Sequence, residues 1–199
     1  MPRLLPQREA IAGVMKILAI SGSARGVSTN TALLRAMQEL APEGMTLMVF
    51  DQIGSLPIFS PDHEAEKTPA AVLALMAQVA QADGVIISSP EYVRAIPGGM
   101  KNLIDWMVSR AEIIHKPIAL VHASHRGADM LASMRLVLST VSSRFLEQHF
   151  LSLPLVGKSP EEVRVALGQA GVRTQVIQFL QGLAQEIARC ASVPAEDLP

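Results

Sequence analysis

The sequence predicts an α/β protein with three layers, helices on both faces of a five-stranded parallel sheet. Short runs rich in Ile, Val and Leu alternate along the chain with stretches of helical periodicity. The runs at 84–88 (GVIIS) and 117–123 (PIALVHA) are almost continuously apolar, as expected of strands covered on both faces. Strands joined by helices in this way form right-handed crossovers, and ligands bind beyond the carboxyl ends of such strands, where the strand order reverses.

The first strand is the run Ile17 to Ile20, followed by the loop SGSARGVSTN and a helix marked by Leu33, Leu34 and Met37. A small polar loop at a helix start presents unpaired amides and hydroxyls, and the helix dipole favours an anion there, most often phosphate. Ser23, Ser28, Thr29 and Asn30 are the candidate donors, and Arg25 adds a forked, charged pair. Ser28 or Thr29 is also positioned to cap the helix. A Walker A loop requires Lys before Ser or Thr, but Val27 precedes Ser28; the stretch SGSARG does not match G-x-G-x-x-G, and GVSTN does not match G-x-S-x-G.

Met45 to Phe50 reads as the second strand, with Asp51 starting a loop rather than holding a ribose. The turn-rich segment from 52 to 69, broken by Pro57, Pro61 and Pro69, is long enough to expect a functional or interface role. The periodicity of Val72, Leu75, Met76 and Val79 predicts a helix over 70–81, and 84–88 is the third strand. The loop SPEYVRAIPGG follows, and Pro97 and Gly98 announce a helix with Leu103, Trp106 and Met107 on one stripe. That stripe assigns Trp106 to the core or a subunit interface, and Lys101 and Asp105 are spaced to pair.

The fourth strand is 117–123, with the loop SHRG ahead of a helix near Met130 to Ser142. The stretch EQHFLSLPL (147–155) supplies the fifth strand, and 174–190 a last amphipathic helix. His122 and His125 face opposite ways on an extended chain and have no nearby acid or cysteine, so no metal is expected.

The chain has 199 residues, is 49% hydrophobic and carries a net charge of -1, which suits one domain and offers no basic field for nucleic acid or anionic membrane. The expected division is an arm over 1–14 and one domain over 15–199. The arm lacks the long apolar region of a secretory signal. The single cysteine, Cys190, excludes an intrachain disulfide and suits a reducing cytoplasm, and no apolar run approaches the ~20 residues of a membrane span.

The stretches GSARGVSTN and PEYVRAIPGGMKNLIDW together resemble the NADPH-dependent FMN reductase family, flavodoxin-like flavoproteins that include quinone, chromate and azo reductases. The resemblance runs from the first strand to the loop after the fourth, and includes LPIFSPD at 56–62. It implies a flavodoxin-like fold with strand order 2-1-3-4-5, in which the loops after strands one and three face one ligand. Gly22, Ser23, Arg25, Ser28 and Asn30 match the family's first loop, and with the Thr29 amide they would hold the FMN phosphate. Pro90, Glu91, Tyr92, Pro97, Gly98, Lys101, Asn102, Ile104, Asp105 and Trp106 match its second, where Pro90, Glu91, Tyr92, Val93 and Arg94 would border the flavin. Val93, Arg94 and Ala95 stand where the family usually has Asn-Gly-Ser. Ser124 falls near the pyrimidine end, with His125 and Arg126 replacing smaller residues.

The implied activity is hydride transfer from NADPH or NADH through FMN to a quinone, azo compound, metal oxyanion or similar acceptor, by a cytoplasmic homodimer or homotetramer. The flavin carries the chemistry, so no general acid or base is assigned. Arg94 is expected to point away from the ring, and Arg94 or Arg126 to meet negative charge on reduced flavin or a nicotinamide phosphate. Two rivals belong to other classes: a flavodoxin-type electron carrier, whose kind is strongly acidic, and a flavin-fold protein that has lost FMN and serves as a binding or regulatory module.

Overall fold

The structure is a computed structural model describing residues 13–108 and 110–192. Most of the expected arm, 1–12, lies outside the described residues. Five parallel strands form one sheet in the order β2-β1-β3-β4-β5, with β1 at Met15–Ser21, β2 at Met45–Phe50, β3 at Gly84–Ser88, β4 at Ile118–His122 and β5 at Phe145–Ser152. The expected order 2-1-3-4-5 is thus the observed one, and it reverses between β1 and β3. Every residue of β3 and β4 is buried, which explains why those segments carry no alternation.

Side chains of β1 divide between the two faces with the period of a strand. Leu18 and Ile20 join the layer packed by α2 (Ala70–Gln81), α3 (Gly98–Val108) and α5 (Ala128–Val141). Ile17 and Ala19 join the opposite layer, packed by α1 (Thr29–Glu39), α6 (Pro160–Gly168) and α7 (Ala170–Ser192). A short helix, α4 (Ala111–Ile114), precedes β4.

The expected bounds of β2, α2 and β3 coincide with those observed. Helix α6, for which the sequence reading made no assignment, starts at a capping box in which Ser159 and Glu162 bond reciprocally, with Pro160 in the first turn. The fifth strand begins earlier than 147–155, with Phe145 paired to Ile118, and it ends earlier because Pro154 cannot donate to a ladder, although Leu153 N still reaches the His122 carbonyl at 2.9 Å.

The segment 52–69 folds as three short 3₁₀ turns, and the start of α3 anchors it. Asn102 accepts from Phe59 N at 2.8 Å and donates to the Pro57 carbonyl at 3.0 Å. Trp106 Nε1 donates to the same carbonyl at 2.8 Å, and its ring meets Phe59 edge-on at 5.0 Å. Trp106 is 1% exposed, so it belongs to the core as its stripe predicted. Lys101 and Asp105 form the expected ion pair. Asp51 accepts from Arg35 at 2.7 Å at the end of β2.

Candidate functional site

The strand order reverses between β1 and β3, and the loops leaving both strands border a cavity of about 320 Å³. Its first wall grows from the end of β1. Ser21, Ser23, Ser28, Asn30 and Thr31 are all buried there, together with Ser88 and Ser89 from the end of β3. Buried hydroxyls need partners, and these satisfy one another: Ser21 Oγ and Thr31 Oγ1 lie 2.8 Å apart, and Ser88 Oγ donates to Asn30 Oδ1 at 2.9 Å. Gly22 N donates to the Ser88 carbonyl at 2.7 Å, and a Cβ at Gly22 would come within 2.5 Å of Ser89 Oγ. Glycine at 22 therefore lets the two loops touch.

Ser28 is the N-cap of α1, its Oγ accepting from Thr31 N at 3.4 Å. The cap role and an anion role are compatible, since the Ser28 hydroxyl still has its proton to donate. The N–H groups of Thr29 and Asn30, in the first turn, have no carbonyl within the helix to reach. The Thr29 hydroxyl instead donates to the Lys158 carbonyl at 3.3 Å, which leaves its amide as the group open to an anion. Among the described residues Arg25 has no ion-pair partner, so its guanidinium is available to a ligand.

The second wall is Ser89, Pro90, Glu91 and Tyr92, and the third is His122, Ala123, Ser124, Arg126 and Gly127. His122 Nε2 lies 2.5 Å from the Arg126 carbonyl, which can only accept, so the ring carries its proton on Nε2. Its Nδ1 is buried without a partner among the described residues. Gly127 is left-handed (φ 99°), and a Cβ there would meet the same imidazole at 2.9 Å. Ser124 Oγ accepts from Arg126 N at 2.8 Å. Val156 and Gly157, from the loop before α6, complete the lining.

Nine of the eleven residues proposed from sequence thus line one cavity: Ser23, Arg25, Ser28, Thr29, Asn30, Pro90, Glu91, Tyr92 and Ser124. Val93 and Arg94 do not. Val93 is 99% exposed, and Arg94 Nε donates at 2.5 Å to Oδ2 of Asp129, a residue that is not part of the lining. Their backbone explains the placement, because positive φ at both residues turns the chain back just beyond Tyr92. The hydrogen bond and charge of Asp129 raise the pKa of Arg94, and the reciprocal hydrogen bond holds the Asp129 carboxyl below its usual range. Sequence reading did not propose Ser89, His122, Ala123, Gly127, Val156 or Gly157 for the site; His122 was weighed only as a metal ligand, and the glycines, Ala123 and Val156 carry no distinctive side-chain signal.

Residues 15–156 match the family described as NADPH-dependent FMN reductase. The chain belongs to that family. A quinone reductase of Escherichia coli K12 is 38% identical over 94 residues, 47% of this chain and 50% of that protein. A probable NADPH:quinone oxidoreductase 2 of Oryza sativa subsp. japonica is 34% identical over 145 residues, 71% of this chain and 70% of that one. The match thus spans about half the length of the quinone reductase and more of the rice relative. Among solved structures, FerB, a flavoenzyme NAD(P)H:(acceptor) oxidoreductase from Paracoccus denitrificans, shares the fold with a TM-score of 0.70 at 23% identity, covering 88% of this chain and 98% of that one.

In this FMN reductase family chain, the donor set at the first wall suits a phosphate. It combines open amides at a helix start, a serine hydroxyl and a guanidinium without a carboxylate partner among the described residues. Among the described residues no helix is long and apolar enough to cross a membrane.

Proposed function

We propose that this protein is an FMN-dependent NAD(P)H oxidoreductase whose acceptor is a quinone or a similar small molecule. The observation that carries the reading is the convergence of a phosphate-type wall and the Pro90–Tyr92 wall on one cavity, where the strand order reverses. Membership of the family and the names of the relatives support it. FMN, when bound, would take a hydride from the nicotinamide and pass the reducing equivalents to the acceptor.

The protein's own part is binding and orientation. Arg25, the Ser28 hydroxyl and the Thr29 and Asn30 amides would fix the phosphate. Pro90, Glu91 and Tyr92 would border the ring system, with Ser124, Arg126 and Gly127 opposite. Tyr92 is 46% exposed at the mouth and offers a flat, amphipathic face to an incoming aromatic ring. Arg94 is occupied by Asp129, so Arg126 is the cation of this pair left to meet negative charge on the ligand. That Val93 and Arg94 lie outside the cavity lining counts against the rival that has lost FMN. A net charge of -1 counts against an acidic electron carrier.

Two substrates that approach one open mouth take turns. The expected result with NADPH and a quinone is a set of parallel double-reciprocal lines, and intersecting lines diagnostic of a ternary complex would reject the shared site. The assembly proposed is a homodimer or homotetramer in the cytoplasm. Val27, Val93 and Val156 are exposed near the cavity and suit cover by a second copy. A purely monomeric sedimentation profile at micromolar concentration would remove that part of the reading.

A further inference from the structure

The loop that brings Pro90, Glu91 and Tyr92 to the cavity reverses through Val93 and Arg94, whose φ angles are 52° and 58°. Tyr92 and Ala95 exchange backbone hydrogen bonds of 3.2 and 3.0 Å across the reversal, so it is a two-residue hairpin of the I′ kind. Asn-Gly adopts that geometry readily. A β-branched valine does so only under strain, and Val93 recovers none of the cost by packing against its own chain, where it is 99% exposed.

A strained turn persists only where its surroundings hold it. Here both holding side-chain contacts come from the first turn of α5. Glu91 Oε2 accepts from Met130 N at 3.0 Å, fixing the residue before Tyr92. Arg94 Nε donates to Asp129 Oδ2 at 2.5 Å, fixing the turn itself. Asp129 sits at the positive end of α5, where a carboxylate is favoured.

We propose that the Arg94–Asp129 pair is a clasp that holds the strained turn closed, and that Asp129, outside the cavity, is a positioning residue for FMN through the Pro90–Tyr92 wall. An exposed ion pair contributes little to global stability. The clasp acts instead on the local opening of residues 90–97, which is where a small free energy can matter. It rests on the FMN reading only for the ligand that reports it.

Four proteins decide the matter: the native chain, Asp129→Asn, the turn variant Val93→Asn with Arg94→Gly, and that variant with Asp129→Asn added. FMN affinity is read by quenching of flavin fluorescence, and amide hydrogen exchange over 90–97 is read on the flavin-free proteins. In the native turn, Asp129→Asn is expected to weaken FMN by about threefold to fivefold and to speed exchange over 90–97. In the Asn-Gly turn it is expected to do neither. Equal effects in both backgrounds, or no effect in the native one, overturn the clasp. If the native protein takes up no FMN, the flavin reading fails, and the exchange comparison still decides the clasp.

Discussion

Replacing Arg25 and Ser28 together by alanine is expected to weaken FMN binding by about 3 to 5 kcal/mol, roughly a thousandfold in Kd. Both residues line the cavity, and each can donate to a charged oxygen, an interaction that contributes about 1.5 to 3 kcal/mol. Arg25 is exposed at its loop and has no carboxylate partner among the described residues, so its removal leaves the fold intact. Ser28 also caps α1, and its loss costs about 1 kcal/mol of stability. Affinity is therefore measured well below the melting temperature of the double variant. An unchanged Kd in a folded double variant would remove the phosphate site from this loop.

Gly22→Ala is expected to damage the site without touching any ligand-facing side chain. The added Cβ would lie 2.5 Å from Ser89 Oγ, 2.7 Å from Ser89 Cβ and 3.0 Å from Ser89 Cα. The hydroxyl could rotate away, but the Cβ and the backbone could not, so the loops after β1 and β3 must separate. Overpacking of this kind costs about 1 to 3 kcal/mol of stability. Because both loops line the cavity, FMN affinity should fall by about tenfold to a hundredfold as well. A chemical denaturation curve and an FMN titration check the two effects. Native stability together with native affinity would show that the loops have room the structure does not give them.

What the sequence made legible follows the range over which each signal acts. Strand β3 and helix α2 were readable to the residue, because a covered strand is continuously apolar and Val72, Leu75, Met76 and Val79 repeat at helical spacing. The first wall was readable too, since its donors are adjacent in the chain. The motif residues Asn102 and Trp106 were noted, but their task was not, because it is to hold Pro57 and Phe59, more than forty positions away. Val156 and Gly157 reach the cavity by the same sort of long-range packing, with the Lys158 carbonyl resting on Thr29.

The direction of Val93 and Arg94 shows a different limit. The family resemblance placed both beside the flavin, at positions where the family usually has Asn-Gly, but Val93 and Arg94 themselves give no sign that the chain reverses through two left-handed residues. Neither residue type favours that conformation, so local propensity argued against the turn that forms. Arg94 is paired outside the cavity lining, and the residue that takes it, Asp129, lies 35 positions on, in the first turn of α5.

The proposed activity requires, before anything else, that the cavity hold a flavin that NADPH can reduce. Purified protein is incubated with excess FMN, freed of unbound flavin and placed under anaerobic conditions, and its visible spectrum is followed. The expected result is retention of about one FMN per chain, bleaching of the flavin bands on addition of NADPH or NADH, and their return on addition of a quinone. Retention of no flavin, or a retained flavin that neither nicotinamide bleaches, would contradict it.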